Sequence, residues 1–175
     1  MEPQLLEKET STMITTLQPN EVFVFGSNST GFHGAGASGL ACRGNHRNTW
    51  RQDAWFLKAM DTTPGSADRV GKWAIYGVAR GFQEGTEGKS YAIQTIVRPG
   101  QRQSTSLPEI YLQLVELWSF VRQHPEWTFL VTPLGEGYAG YTAAEMKPVW
   151  DCLQQRHGTR PNVRFVGRNQ RAHTA

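Results

Sequence analysis

The sequence has few cysteines and no long hydrophobic run. Only Cys42 and Cys152 occur among the 175 residues, too few for a disulfide framework or for a four-cysteine zinc site. No apolar stretch approaches the length of about 20 residues that a membrane helix needs. The first residues also lack the basic and apolar regions of a secretion signal. The sequence therefore predicts a cytoplasmic protein without a membrane anchor.

Metal-binding and standard nucleotide-binding motifs are also missing. Four of the five histidines show no spacing typical of metal ligands, so we expect no structural metal: His46, His124, His157 and His173. There is no G-x-x-x-x-G-K-[ST] sequence, and Gly135-x-Gly137-x-x-Gly140 stands without the rest of the dinucleotide fingerprint. We expect no cofactor.

The net charge is small, +3, although the isoelectric point is near 9.0. Basic residues form two groups, one following the first glycine-rich segment and one near the C-terminus: Arg43, His46, Arg47 and Arg51, and then Arg156, Arg160, Arg164, Arg168 and Arg171. Such groups are typical of a solvated surface, but they could also steer an anionic ligand or bind RNA weakly. Nucleic acid therefore stays open as an alternative partner, and no membrane partner is expected.

What the sequence does contain is an alternation of short apolar runs and helical patterns. Strands are predicted at 21–25, 73–76, 90–96, 127–132 and 162–166. Helices are predicted at 37–42, within 43–72, at 107–123 and in a last segment that ends near Gly158. This order predicts a three-layer α/β/α fold with a mixed, mostly parallel central sheet. One domain would occupy residues 21–167, between an N-terminal extension (1–20) and a basic tail (168–175).

Two of the helices carry local signals for where they begin. Ser106 and Glu109 form a potential capping box at the start of the helix 107–123, and Pro108 fits its first turn. By the same reasoning Pro148 is expected in the first turn of the last helix, where a missing N–H does no harm.

Two glycine-rich loops follow predicted strands. The first loop is GSNSTGFHGAGA, residues 26–37, and the second loop is TPLGEGYAGY, residues 132–141. Glycines at a strand end let backbone N–H groups approach a ligand closely, and a following helix adds its positive dipole end. Ligands of such sheets bind beyond the carboxyl ends of the strands. The loops therefore predict a phosphate-bearing ligand held from both sides.

These segments resemble the macrodomain family. The chain is most similar to small macrodomain-like proteins of bacteria and their phages, which carry a similar GSN-x-x-G-x-HGAGA segment and a G-x-G-x-AGY loop. The resemblance also includes the strand Tyr91–Thr95 and covers roughly residues 21–167. It implies a macrodomain-like fold that binds ADP-ribose, with the first loop near the distal ribose and the second around the diphosphate. Many members hydrolyse ADP-ribosyl bonds.

The resemblance assigns candidate residues by position. The ligand-binding candidates come from both loops: Gly26, Ser27, Asn28, Gly34, Ala35, Gly36, Ser38, Gly135, Gly137, Tyr138, Ala139, Gly140 and Tyr141. Asn28 matches the asparagine that contacts the distal ribose. Many hydrolytic macrodomains have an aspartate where this chain has Ser38, which cannot activate water as a carboxylate can. His33 and Glu136, together with Asn28, are therefore the catalytic candidates.

Each candidate also has a purely structural explanation. Asn28 could stabilise its own turn, His33 could be simply exposed, and Glu136 could point to solvent. Tyr138 and Tyr141 could pack instead of stacking on a base. Ser38 could cap the helix, and Cys42 is expected to pack within it.

The expected function is binding of ADP-ribose or an ADP-ribosyl group, with hydrolysis of an ADP-ribosyl linkage. Three alternatives remain open. They are a non-catalytic reader of ADP-ribose, a phosphatase acting on ADP-ribose 1″-phosphate, and a nucleic-acid-binding module.

Overall fold

The computed structural model describes residues 14–45 and 54–167. They form an α/β fold with a five-stranded sheet and, within the described residues, four α-helices. The strands are β1 (Glu21–Asn28), β2 (Gly81–Glu84), β3 (Lys89–Ile96), β4 (Thr128–Val131) and β5 (Val163–Phe165). The helices are α1 (Gly36–Arg43), α2 (Ala54–Met60), α3 (Leu107–Gln123) and α4 (Ala143–His157).

The sheet has β1 at its centre, in the order β2-β3-β1-β4-β5. Strand β1 pairs in parallel with both β3 and β4, and β5 is parallel to β4. Only β2 is antiparallel, and it lies at one edge against β3. The predicted mixed and mostly parallel sheet is confirmed. The short edge strands protect the longer central ones from pairing with other chains.

Alternate residues of β1 face two separate cores, because successive side chains in a strand point to opposite faces. Val22 and Val24 belong to the first core, which is built with α3 and α4. Phe23 and Phe25 belong to the second core, which includes three residues of α1, Leu40, Ala41 and Cys42. Helices therefore cover both faces, as in a three-layer α/β/α arrangement. Cys42 is buried in its helix, as predicted.

Helix α3 has the predicted bounds. The Oγ atom of Ser106 accepts a hydrogen bond from the N–H of Glu109 at 3.3 Å, which is one half of the expected capping box. The buried face predicted from the spacing is confirmed: Ile110, Leu114, Leu117, Trp118 and Val121. Its length is 17 residues, and none of the helices in the described ranges is long and apolar enough to cross a bilayer.

Helix α4 begins earlier than predicted. Thr142 and Glu145 form a complete capping box, with hydrogen bonds of 3.0 and 2.9 Å. Pro148 consequently lies inside the helix, so its placement in the first turn was wrong. Proline removes the hydrogen bond to the carbonyl of Ala144, but Ala144 is exposed and water can reach that oxygen. The helix ends at His157 with Gly158 as its C-cap, which confirms the predicted end near Gly158.

The segment 73–76 is not a strand, which corrects a second prediction. It contains only one isolated bridge, between Val70 and Ile75. The N–H groups of Trp73 and Ala74 both donate to the carbonyl of Ala41 at the end of α1. Both side chains are completely buried, and a short buried run of this kind cannot be told from a strand by its pattern.

Other parts of the chain were harder to predict. Strand β2 lies in a glycine-rich segment for which no element was predicted. Helix α2 confirms a helix within 43–72, although residues 46–53 lie outside the described ranges. Ile14 and Leu17 pack against the second core, so residues before Glu21 also contribute to the folded core.

Candidate functional site

The candidate site lies at the carboxyl ends of β1 and β4, the two neighbouring strands that precede the glycine-rich loops. The first loop leads from β1 to α1 on the face of the second core. The second loop leads from β4 to α4 on the opposite face. The two connections therefore leave the neighbouring strands β1 and β4 towards opposite faces of the sheet, and open α/β sheets bind ligands at such points. The space between the two loops is called the crevice below.

The two loops meet across this crevice. A Cβ atom built on Gly36 would stand 3.3 Å from Cε2 of Tyr138. Tyr138 is nevertheless 67% exposed, so its ring forms an accessible wall beside the start of α1. The structure therefore brings together Gly36 and Tyr138, which are far apart in the sequence.

Several backbone N–H groups of the two loops have no acceptor among the described residues. Helix α1 has no side-chain cap, and no described residue accepts a hydrogen bond from the N–H of Gly36, Ala37 or Ser38. In the second loop, the N–H groups of Gly137 and Tyr138 likewise have no acceptor within the described ranges. Such groups, with the positive end of the α1 dipole, favour an anion.

Several of the loop glycines have backbone conformations that other residues rarely adopt. Positive φ angles occur at Gly36 (62°), Gly135 (80°), Gly137 (66°) and Gly140 (91°). Gly135 is also buried, and a Cβ there would lie 2.6 Å from the sulfur of Met146. The glycine spacing of the second loop is therefore required by its turns.

Asn28 stabilises the first loop through its side chain. Its Oδ1 atom accepts hydrogen bonds from the N–H and Oγ1 of Thr30 and from the N–H of Phe32, at 3.1, 2.7 and 3.0 Å. Its Nδ2 atom donates to the carbonyl of Phe32 at 2.7 Å. Asn28 is only 6% exposed. Most of its hydrogen-bonding capacity therefore serves the turn, and the contact with a ribose stays a prediction.

Two other candidates of the first loop, Ser27 and Gly26, contact neighbouring segments of the chain. The Oγ atom of Ser27 donates to the carbonyl of Ala79, and a Cβ on Gly26 would lie 2.8 Å from Oγ1 of Thr95. Both residues belong to β1 and pack against neighbouring segments.

Side chains of α1 donate hydrogen bonds to the carbonyls of the turn that precedes this helix. The carbonyl of Gly34 accepts a hydrogen bond from the Arg43 guanidinium at 2.6 Å. Ala35 is the N-cap of α1, and its carbonyl accepts a hydrogen bond from Oγ of Ser38 at 2.9 Å. Arg43 thus contacts the loop directly, whereas the other members of its basic group, residues 46, 47 and 51, lie outside the described ranges.

His33 lies in the protein interior and is not exposed, so the expectation of a simply exposed side chain was wrong. Its ring is completely buried and packs edge-on against Phe25 at 5.3 Å between centroids. Nε2 lies 3.1 Å from the carbonyl of Val78 and acts as the donor there. Burial lowers the pKa of His33 to about 4, although hydrogen bonds to Val78 and Ile75 oppose the shift. His33 is therefore neutral at pH 7 and remote from solvent.

We expect His33 to make the protein less stable in acid. The unfolded histidine has a pKa of 6.5 and the folded one of about 4, so the unfolded state binds more protons between these values. The stabilisation is complete above pH 6.5 and is lost as the pH falls towards 4, by roughly 3 kcal/mol. Denaturant unfolding from pH 7 to 4 measures this loss. His33→Gln should show a smaller loss across that range, and an identical pH profile would contradict the assignment.

The remaining candidates of the second loop differ in their exposure. Glu136 is half-buried and its side chain does not cap the following turn. Ala139 is buried. The hydroxyl of Tyr141 donates to the carbonyl of Thr105 at 2.8 Å, and its ring packs against the first core. Tyr141 therefore has a structural role, while Tyr138 is available to a ligand.

A third loop, between β3 and α3, reaches the same edge of the sheet and was not identified from the sequence. The N–H and Oγ of Ser29 both donate to the carbonyl of Val97, at 3.0 and 2.6 Å. Gln103 in this loop contacts the second loop. Its residues match no known motif, so only the sheet order places it here.

The described residues offer little evidence for a metal site or for a binding site outside the two loops. No group of three or more His, Cys, Asp or Glu side chains that could hold a metal ion occurs in the described ranges. An open groove of about 430 Å³ lies between α4 and Phe165. It is bordered by the exposed Lys147–Asp151 ion pair and includes no residue of either glycine-rich loop.

Comparison with models of protein families, with curated proteins and with solved structures gives no significant match for this chain. A function is therefore inferred from the geometry of the crevice and from the residues that surround it.

Proposed function

We propose that the protein binds ADP-ribose or an ADP-ribosyl group in the crevice between the two glycine-rich loops. The observation that carries this proposal is the meeting of Gly36 and Tyr138, with N–H groups on both sides that have no acceptor among the described residues. A diphosphate has oxygens on two sides and suits donors that approach from two loops.

The surroundings of the crevice support an elongated ligand. The diphosphate would lie against the start of α1 and the turn at Gly137. The distal ribose would lie towards Asn28, which terminates β1. The exposed ring of Tyr138 offers an apolar face for a sugar or base. These positions of the diphosphate and the distal ribose are the ones that the resemblance to macrodomains implies.

Hydrolysis of an ADP-ribosyl linkage is the second part of the proposal, and Glu136 is the group best placed for it. His33 is completely buried, and Ser38 donates its hydroxyl proton to the carbonyl of Ala35. Neither can easily orient a water molecule in the crevice. A half-buried carboxylate in the second loop can do so. If Glu136 does not act, the protein is a reader that binds without turnover.

Titration calorimetry with ADP-ribose tests binding. We expect a micromolar dissociation constant, about −8 kcal/mol, with AMP weaker by at least about tenfold. The reason is that AMP lacks the second phosphate and the distal ribose. Equal affinities for AMP and ADP-ribose would contradict a site built from two loops.

Glu136→Gln tests the hydrolytic role. We expect turnover of an ADP-ribosylated substrate to fall by roughly a hundredfold or more, with ADP-ribose affinity nearly unchanged, because the amide cannot accept a proton. The turnover rate is measured by using chromatography to monitor the release of the product over time. The matched control is Glu84→Gln on the edge strand β2. Parent-like turnover in Glu136→Gln would exclude Glu136 as the base.

A nucleic-acid-binding function predicts a different result. RNA binding through the arginines would weaken steeply with salt and would survive a substitution that closes the crevice. Among the described basic residues, Arg160 donates to the carbonyls of Trp118 and His157, so its guanidinium is held against the protein and has fewer N–H groups to offer a phosphate.

A further inference from the structure

Residues 97–106, the third loop, lie against the second glycine-rich loop. A Cβ atom on Gly140 would stand 2.9 Å from Cβ of Arg102 and 3.2 Å from its guanidinium carbon. Tyr141 reaches into the third loop through its bond to Thr105. The conformation of the second loop therefore depends on residues that belong to a different strand connection.

Gln103 is the residue of the third loop with the most unusual backbone. Its φ is 54°, and among the described residues other than glycine it alone has a positive φ. A side chain in this region costs free energy, and such positions persist only where the surrounding structure fixes them. Gln103 is therefore held in place by its contacts.

Those contacts are two hydrogen bonds to the second loop. The N–H of Gln103 donates to the carbonyl of Ala139 at 2.6 Å, and its Nε2 donates to the carbonyl of Gly140 at 3.0 Å. The two peptide units held in this way are consecutive in the chain. Gln103 thus fixes the end of the turn with both its main chain and its side chain.

The same two peptide units close the turn at their other ends. The N–H of Gly140 donates to the carbonyl of Gly137, and the N–H of Tyr141 donates to that of Gly135, at 3.0 and 2.9 Å. Because the C=O and N–H of a peptide unit point in opposite directions, drawing the carbonyl of Gly137 into the turn directs the N–H of Tyr138 outwards. This is one of the N–H groups assigned to the crevice.

We propose that Gln103 is a positioning residue that holds the second loop in its ligand-accepting conformation. For the identity of the ligand, this inference rests on the proposed function. The effect of Gln103 on the conformation of the second loop does not depend on which ligand binds. We assign Gln103 no contact with the diphosphate. It acts through the carbonyls of Ala139 and Gly140, and its strained backbone is the cost of that geometry.

Two substitutions separate positioning from general stability. Gln103→Gly relieves the unfavourable φ but removes the side-chain hydrogen bond. Gln103→Glu keeps the length and the backbone but cannot donate to Gly140. The control is Gln101→Gly in the same loop, since the side chain of Gln101 makes no hydrogen bond with a described residue. Three quantities are measured: the thermal midpoint, amide hydrogen exchange of residues 135–141 without ligand, and ADP-ribose affinity.

We expect the thermal midpoint of Gln103→Gly to equal or exceed that of the parent. Its ADP-ribose affinity should fall about 3- to 10-fold, as expected for one lost hydrogen bond, and exchange in residues 135–141 should become several-fold faster. Gln103→Glu should show the same faster exchange and weaker binding. If Gln103 contributed only to stability, the thermal midpoint and the ADP-ribose affinity would change in the same direction. That result would overturn the inference.

Exchange also separates this inference from the proposed function. Parent-like exchange in both Gln103 variants overturns the positioning role whatever the ligand result. Faster exchange in a protein whose parent form does not bind ADP-ribose supports the positioning role and rejects the proposed ligand.

Discussion

Gly137→Val should abolish measurable ADP-ribose binding while the domain still folds. Gly137 is exposed and has a φ of 66°, so its replacement leaves the cores untouched. A branched side chain strains the turn by about 1 to 3 kcal/mol and stands where the phosphates are expected. Affinity should fall by at least about a hundredfold, or 2.7 kcal/mol. Titration beside a thermal melt measures both effects.

The control for Gly137→Val is Gly65→Val. Gly65 has a φ of 87°, and no described residue lies within 4 Å of an added Cβ, so the backbone strain is comparable. In the sequence it lies outside both loops, between α2 and a short 3₁₀ helix. This control should lose stability but keep its affinity. A folded Gly137→Val protein that binds like the parent would place the diphosphate elsewhere and remove the main support for the proposed function.

Asn28→Ala should have the second large effect, here on stability as well as binding. The change removes one donor and one acceptor and leaves the N–H of Phe32 without its partner. We expect the free energy of unfolding to fall by about 2 to 3 kcal/mol, since leaving a partly buried donor unpaired costs more than a typical hydrogen bond contributes. Urea unfolding measures the loss.

Asn28→Asp is the matched variant, because its carboxylate can still accept the three hydrogen bonds of the turn. It should retain more of the stability than Asn28→Ala. The ribose contact is tested separately by comparing ligands: Asn28→Ala should weaken ADP-ribose more than ADP. An equal loss for both ligands would show that Asn28 acts only through the turn.

The local signals in the sequence were sufficient for the longest elements. Ser106, Pro108 and the apolar spacing from Ile110 to Val121 fixed α3, because a helix of this length buries one face and needs a cap at its start. Proline was less informative. Pro148 is tolerated inside α4 because the carbonyl that it leaves unpaired is exposed, and exposure depends on packing.

The sequence by itself determined the alternation of strands and helices, the two glycine-rich loops and the strands that precede them. These follow from backbone and side-chain preferences within a few neighbouring residues. It also marked Asn28 as a residue suited to a turn.

Only the tertiary structure decided which loops meet and which side chains are accessible. The position of β1 between β3 and β4 sets Gly36 beside Tyr138 and brings Gln103 to the second loop. It also buries His33 against Phe25 and Val78, so a residue that sequence reasoning placed among the catalytic candidates lies in the interior. Burial and proximity depend on the order of strands in the sheet, which is set by contacts between residues distant in the chain.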